Sequence, residues 1–201
     1  MQSTCLRALP WLMLLLLTAC AGQPPLTDTT QDWDSQRAAL AAMDAWTLRG
    51  KLALRTTDRS ESASVIWQQS GSNVDLRLSG PLGAGATRVS SNGRQLVVSQ
   101  NGKADTFDIS TPDAVAASTG WNLPVKALPY WVRGLPAPEP APSMTTIDAG
   151  LMQRFEQAGW QVHYERYQNV DGHRLPAKIA IENGDTRARL VIRSWELPKT
   201  Q

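Results

Sequence analysis

Apolar and polar side chains alternate along most of this chain, with the period of two that is typical of β-strands facing a core on one side. In the clearest stretch Leu48, Leu52 and Leu54 are separated by polar, small or basic residues, so one strand face is apolar and the other is basic. Asn-Gly pairs beginning at Asn92 and Asn101 favour tight hairpin turns. The predicted strands are Trp46 to Arg55, Ser62 to Gln69, Val74 to Ser79, Thr87 to Ser91, Gln95 to Gln100, Lys103 to Ile109, Leu151 to Gln157, Trp160 to Tyr167, Leu175 to Asn183 and Thr186 to Trp195.

Other segments have a helical pattern. In the first of them Trp33, Leu40 and Met43 fall on one face, which predicts an amphipathic helix with these side chains buried. The predicted helices are Gln31 to Ala45, Thr111 to Gly120, and Val125 to Arg133, which Pro129 weakens. The segment Leu135 to Pro142 has proline at alternate positions and is predicted to be an extended linker.

These elements predict a mainly β (α+β) fold. A meander of about ten antiparallel strands twists too strongly to stay flat, and it tends to curl toward a barrel. Helices inserted late in such a meander must bury their apolar side against another element, and the apolar concave face of the sheet is available. We therefore predict a curved antiparallel sheet forming an incomplete barrel, covered by a helical lid with a hydrophobic cavity between them.

The N-terminus predicts a secreted, lipid-anchored protein. An apolar run that is too short to span a bilayer ends in Leu17-Thr18-Ala19-Cys20, which resembles a bacterial lipobox. The alternative is an ordinary signal peptide that happens to contain a cysteine. In the lipobox interpretation Cys20 carries an S-diacylglyceryl and an N-palmitoyl group, and Ala21 in place of Asp indicates the outer membrane. We predict residues 1–19 as a removed signal peptide, 20–30 as lipidated cysteine and flexible tether, 31–197 as a single half-barrel domain and 198–201 as a tail.

Charge and candidate chemistry exclude several functions. Removing the signal takes away only Arg7 of the 20 bases, leaving 19 against 18 acids, so no basic surface for nucleic acid is expected. Cys5 leaves with the signal and Cys20 is acylated, so neither a disulfide nor a cysteine metal site is available. His163 and His173 have no metal-ligand spacing, and no nucleophile motif is present. We predict a monomer that is not an enzyme and has no metal and no cofactor apart from its covalent lipid.

A series of short motifs resembles the LolB family of outer-membrane lipoprotein receptors. Each motif is weak alone, but they occur in order over most of the chain. They are the lipobox, Trp46-x-Leu-x-Gly-Lys51, Trp67-Gln-Gln, Gly80-Pro-Leu-Gly83, Gly120-Trp-Asn-Leu-Pro-Val125, Tyr130-Trp-Val-Arg-Gly-Leu-Pro136, Gly159-Trp160 and Leu175-Pro176.

The resemblance implies a protein anchored in the outer membrane and facing the periplasm. Such a receptor accepts acylated lipoproteins from a soluble LolA-like periplasmic carrier and inserts them into the inner leaflet, binding their acyl chains in the cavity. The alternatives are an envelope-assembly scaffold with a solid core and an envelope hydrolase. Candidate cavity-lining residues lie on the apolar faces of the strands and in the lid; each also fits an ordinary core. They are Trp46, Leu48, Leu52, Leu54, Val65, Trp67, Leu76, Leu78, Trp121 and Trp131.

The loop around Leu82 has two interpretations from the residues alone. Leu82 is its only large side chain, and it either tucks against its own sheet or forms an exposed apolar tip. The family resemblance implies the second, with Leu82, flanked by Pro81 and Gly83, inserting cargo into the membrane.

The basic face of the predicted strands also has two interpretations. Its members are Arg49, Lys51, Arg55 and Arg77, which are either simply solvated or meet an acidic carrier or anionic headgroups.

Overall fold

The structure is a computed structural model that describes residues 29–81, 85–110 and 124–198. In these ranges one sheet of eleven strands is accompanied by two α-helices. No helix of the described residues is long and apolar enough to cross a membrane. The elements are α1 (Thr29–Ala41), β1 (Ala45–Arg55), β2 (Ser60–Ser70), β3 (Asn73–Ser79), β4 (Thr87–Ser91), β5 (Gln95–Gln100), β6 (Lys103–Asp108), α2 (Leu128–Trp131), β7 (Ser143–Asp148), β8 (Leu151–Gln157), β9 (Trp160–Val170), β10 (His173–Asn183) and β11 (Thr186–Glu196).

The sheet is an antiparallel meander in two arms that meet at β1. Its spatial order is β6-β5-β4-β3-β2-β1-β11-β10-β9-β8-β7. Strands β6 and β7 form the two edges and do not pair with each other, so the barrel is not closed. The predicted mainly β, incomplete-barrel fold is therefore confirmed.

Strand β1 joins the two arms, and one glycine makes its close approach to β11 possible. The register shifts between Arg49 and Gly50, and a Cβ atom built on Gly50 would lie 2.3 Å from the carbonyl oxygen of Val191. No larger side chain fits there without moving the β11 backbone. The ladder beyond this irregularity pairs Leu52 with Leu190 and keeps apolar side chains on the concave face of both strands.

Helix α1 packs on the sheet through the residues that the sequence pattern selected. Trp33 and Leu40 are buried and Met43 is half-buried against the same core. The helix ends at Ala41 rather than Ala45, because Ala45 already belongs to β1. On the same face of the helix, the half-buried Gln36 side chain donates a hydrogen bond of 2.8 Å to the carbonyl of Arg174 in β10.

Two predictions differ from the structure. The lid is a minor feature of the described chain: only Leu128–Trp131 is helical in the 125–133 segment, whereas the segment predicted as helical from Thr111 to Gly120 lies outside the described residues. Strand β7 was not predicted. All its residues are exposed and its ladder with β8 is irregular, with Met144 at a φ of 50°, so no alternating pattern marks it.

Candidate functional site

The concave face of the sheet is apolar, and two of its parts differ in how they are covered. The packed region consists of the concave side chains of β8 to β10 together with the segment 127–137 that covers them. The rim patch consists of apolar side chains that are only half-buried at the end of the sheet bearing the β3–β4 loop. Its members are Leu52, Leu54, Ala63, Leu78, Ile181, Ala188 and Leu190.

Hydrogen bonds fasten the covering segment to the packed region. Trp131, 1% exposed, donates its indole N–H to Oε1 of Gln157 at 2.8 Å. The same oxygen accepts the backbone N–H of Ala137 at 2.9 Å, and the Gln157 amide donates to the carbonyls of Ala137 and Pro140. Tyr164 donates its hydroxyl to the Trp131 carbonyl at 2.7 Å. Burial raises the pKa of the Tyr164 phenol well above its ordinary value, so the hydroxyl stays a donor.

Buried Arg133 ties the covering segment to α1. Its Nη1 donates to the carbonyl of Leu40 at 2.8 Å and to that of Met43, and its Nε donates to Pro129 at 3.0 Å. Its guanidinium also lies 5.1 Å from the centre of the Tyr130 ring. Desolvation lowers the pKa of Arg133, but a guanidinium starts so high that it remains charged. A cation at the C-terminal end of a helix is favourably placed to satisfy its free carbonyls.

Three tryptophans form a cluster where the two arms meet. Leu48 of β1 is opposite Trp67 on one side and Trp195 on the other. The Trp46 ring lies 5.2 Å from that of Trp67 and 5.3 Å from that of Trp195. Trp67 donates to Gln69 and Trp195 to the carbonyl of Pro176, whereas the buried Nε1 of Trp46 has no hydrogen-bond partner among the described residues.

The rim patch differs because only apolar contacts and the strand ladders hold it. Leu54 is opposite Ala188, which is opposite Ile181; one step along, Leu52 is opposite Leu190. The patch therefore crosses three strands without interruption and reaches Ala63 and Leu78 on the other arm. No side-chain hydrogen bond of these residues restrains it.

The β3–β4 loop begins at this same rim. Gly80 and Pro81 directly follow Ser79, which pairs with Ser64 of β2, and Pro81 is exposed. Leu82 and Gly83, the other predicted residues of this loop, lie outside the described residues, as do Trp121 and Cys20.

The predicted lining residues divide between the buried core and the rim. Leu76 is half-buried against the core from β3. Trp46, Leu48, Val65, Trp67 and Trp131 are buried, and Leu52, Leu54 and Leu78 belong to the rim patch. Sequence reasoning missed Ile181, Ala188 and Leu190, although their alternation in β10 and β11 was visible, because the pairing of β1 with β11, which brings them beside Leu52 and Leu54, joins strands far apart in sequence.

The convex face is polar. Arg49 pairs with Glu196 at 3.0 Å, and Arg77 with Asp75 at 3.2 Å, so two of the four predicted basic residues have acidic partners. Partial desolvation opposes ionisation of Asp75, but hydrogen bonds from Arg88 and Arg77 outweigh it and lower the pKa of that carboxyl. Within the described residues no cluster of histidine, cysteine or carboxylate side chains could hold a metal ion.

Comparison with known proteins identifies the family. A family profile described as "Outer membrane lipoprotein LolB" matches residues 44–195. The chain belongs to the LolB family. It is 39% identical over 194 residues to the outer-membrane lipoprotein LolB of Chromohalobacter salexigens, covering 93% of this chain and 90% of that one. The LolB of Pseudomonas aeruginosa strain PAO1 is 38% identical, with coverage of 91% and 92%.

Solved structures support the fold of this LolB-family chain. A LolA superfamily protein from Nitrosomonas europaea superposes with a TM-score of 0.54 at 10% identity, over 86% of this chain and 94% of that one. A DUF1329 family protein from Desulfovibrio piger gives a TM-score of 0.53 at 8% identity, over 86% and 94%. At such identities these similarities concern the fold alone.

Membership of the LolB family confirms the predicted class of function. The protein is an outer-membrane lipoprotein and a receptor in lipoprotein localisation, and it is not an enzyme. The family has no cofactor, and its lipid is covalently attached. The scaffold and hydrolase alternatives gain no support from these relatives.

Proposed function

We propose that this protein accepts acylated lipoproteins from a LolA-like periplasmic carrier and passes them to the inner leaflet of the outer membrane, with their acyl chains held against the rim patch. One observation carries the proposal. Half-buried apolar side chains continue without interruption across β1, β11 and β10 at the end of the sheet from which the Gly80-Pro81 loop starts. Cargo on this patch is already beside the loop that we propose touches the membrane.

The energetics of acyl chains favour direct transfer. Each methylene removed from water contributes about 0.8 kcal/mol, so releasing lipidated cargo into the periplasm is prohibitively unfavourable. Transfer from one apolar surface to the next avoids that state. The receptor must hold the chains more tightly than the carrier and less tightly than the bilayer, and then no nucleotide hydrolysis is needed. A half-buried patch suits an intermediate affinity, because part of its apolar surface is already satisfied by its neighbours.

Cargo also carries ester and amide groups next to its acyl chains, and one buried donor is available for them. We include in the proposal that the Nε1 of Trp46, which lacks a partner among the described residues, donates to such a carbonyl when the tryptophan cluster opens. Leu82 would then lead the chains into the membrane, and acylated Cys20 would hold the whole domain at the bilayer surface.

A reconstituted transfer assay tests the proposal. The acylated protein is placed in phospholipid vesicles, and a purified LolA-like carrier loaded with a radiolabelled lipoprotein is added. Wild type should move the label from the carrier into the vesicles. The Leu82→Glu variant should take cargo from the carrier but insert little of it, because a carboxylate in this loop opposes contact with hydrocarbon.

The matched control places the same charge on an apolar side chain that the structure shows to be exposed. Met144 in β7 is 72% exposed, and six strands separate β7 from β3 in the sheet order. The Met144→Glu variant should transfer cargo as wild type does. Label that stays on the carrier with the wild-type protein, or Leu82→Glu delivering as well as Met144→Glu, would contradict the proposed function.

A further inference from the structure

A small polar depression lies on the convex side of the rim, directly beside the β3–β4 loop. Its volume is about 300 Å³, and its lining includes Lys51, Ser62, Ser64, Ser79, Gly80 and Pro81. We propose that this depression binds the phosphodiester of a phospholipid headgroup when the rim meets the membrane. The orientation of the rim rests on the proposed function; the chemistry of the depression does not.

The strand register brings one ammonium and three hydroxyl groups to this site. Ser79 of β3 is opposite Ser64 of β2, and Ser64 is opposite Lys51 of β1. Neighbouring strands are about 4.8 Å apart, so these three side chains form a row on one face. Ser62 lies two positions from Ser64 on the same strand and therefore points to the same face. The row provides donors only a few ångströms apart, which matches the several acceptor oxygens of one phosphate.

The charge of Lys51 is available to a ligand. No carboxylate within the described residues forms an ion pair with Lys51, whereas Arg49 on the same strand is paired with Glu196. The ladder partners of Lys51 are Ser64 and Val191, and the neighbours of Val191 on the same face of β11 are Arg189 and Arg193. An anion placed beside Lys51 therefore meets no acidic group at an adjacent position of the sheet.

A headgroup phosphate fits this place better than a soluble anion. The apolar rim patch and the polar depression lie on the two faces of the same strands, with Leu52 adjacent to Lys51 and Leu78 adjacent to Ser79. A bilayer surface presents hydrocarbon and phosphate at neighbouring depths. A rim that offers apolar side chains on one face and a free ammonium with hydroxyls on the other is complementary to both layers.

The test measures lipid binding without carrier or cargo. The acylated protein is kept in uncharged dodecyl maltoside micelles and titrated by calorimetry with phosphatidylglycerol added to the micelles, with dioleoylglycerol, which lacks the phosphate, or with inorganic phosphate. We expect saturable binding of phosphatidylglycerol that is clearly tighter than the binding of dioleoylglycerol, whose acyl chains can contact only the rim patch. Lys51→Gln should weaken binding of phosphatidylglycerol about five- to tenfold, and Lys51→Arg should restore most of the affinity.

Arg55→Gln is the matched control, since Arg55 is an exposed base on the same face of β1 that has no ion pair among the described residues and lies outside the depression. It should change the affinity less than about twofold. Equal losses for Lys51→Gln and Arg55→Gln would show diffuse attraction and overturn the site. Binding of inorganic phosphate with no binding of phosphatidylglycerol would also overturn it. Neither result affects the transfer assay, so this proposal and the proposed function can fail separately.

Discussion

The packed region and the rim patch are built from the same alternation of apolar residues, yet they are covered to different extents. Phe155 and Val162 in the packed region are 0% exposed, whereas Leu52 and Leu190 in the rim patch are only half-buried. The alternation decides which face of a strand is apolar. How deeply a side chain is buried depends on what lies over the sheet, and here the segment 127–137 lies over the packed region.

The two regions also differ in the kind of interaction that holds them. The packed region has directional bonds, in which Gln157 and Tyr164 fix the position of Trp131. The rim patch relies on apolar contacts, which depend little on orientation and can be exchanged for contacts with an acyl chain. This difference suggests that one region keeps the barrel together while the other is free to exchange its neighbours.

The largest expected effect is on the free energy of unfolding, when one large side chain is removed from each region in turn. Trp131→Ala should lower the free energy of unfolding by about 3–5 kcal/mol, because it leaves a large cavity and removes the indole donor to Gln157. Leu78→Ala in the rim patch should cost only about 1–2 kcal/mol, since its side chain is already partly in water. Urea denaturation of both variants checks the difference. Equal losses would mean that the two regions are equally important for stability.

A second variant sharpens the role of the rim patch in binding. Leu190→Ser should weaken the binding of a fluorescent fatty acid about tenfold, because a few methylene contacts of about 0.8 kcal/mol each are lost. Leu96→Ser is the control, since Leu96 is also half-buried but lies on β5, outside the patch. Titration of both variants with the same probe gives the comparison. A greater loss in Leu96→Ser would place the acyl chains elsewhere on the concave face.

The sequence patterns predicted most strands of the sheet but not all the contacts made by the segments that cover it. Alternation, together with the Asn-Gly turns that delimit β4 to β6, identified ten strands, and neither signal marks β7, whose residues are all exposed. The tie made by Arg133 was not predictable from local pattern, because its acceptors Leu40 and Met43 lie 93 and 90 residues away in sequence. The depression at Lys51 was likewise hidden, since it requires the register of three strands. Short motifs were enough to indicate the family, whereas the candidate site depends on contacts between residues that are far apart in the sequence.

The convex face behind the packed region should contribute least, and pH separates its contribution from that of the core. Lys178 donates to Glu165 at 2.6 Å and Arg189 lies 3.0 Å from the same carboxylate. The hydrogen bond from Lys178, aided by the charge of Arg189 and opposed by slight desolvation, lowers the pKa of Glu165 in the folded protein. A carboxyl whose pKa is lowered by folding stabilises the protein above its unfolded pKa of about 4.3, and this contribution is lost as the pH falls through the folded value.

Glu165→Gln should therefore reduce the free energy of unfolding at pH 7 by less than about 1 kcal/mol, because water still screens this partly exposed pair, and the difference from wild type should shrink toward pH 3. Glu156→Gln is the control, as Glu156 on β8 has no ion pair within the described residues. Urea denaturation at both pH values, with and without about 0.5 M salt, provides the measurement. A difference from wild type that persists at pH 3 would mean that Glu165 acts through packing rather than charge. In that case side chains on both faces of the sheet would stabilise the protein through packing, and the faces would differ mainly in how deeply those side chains are buried.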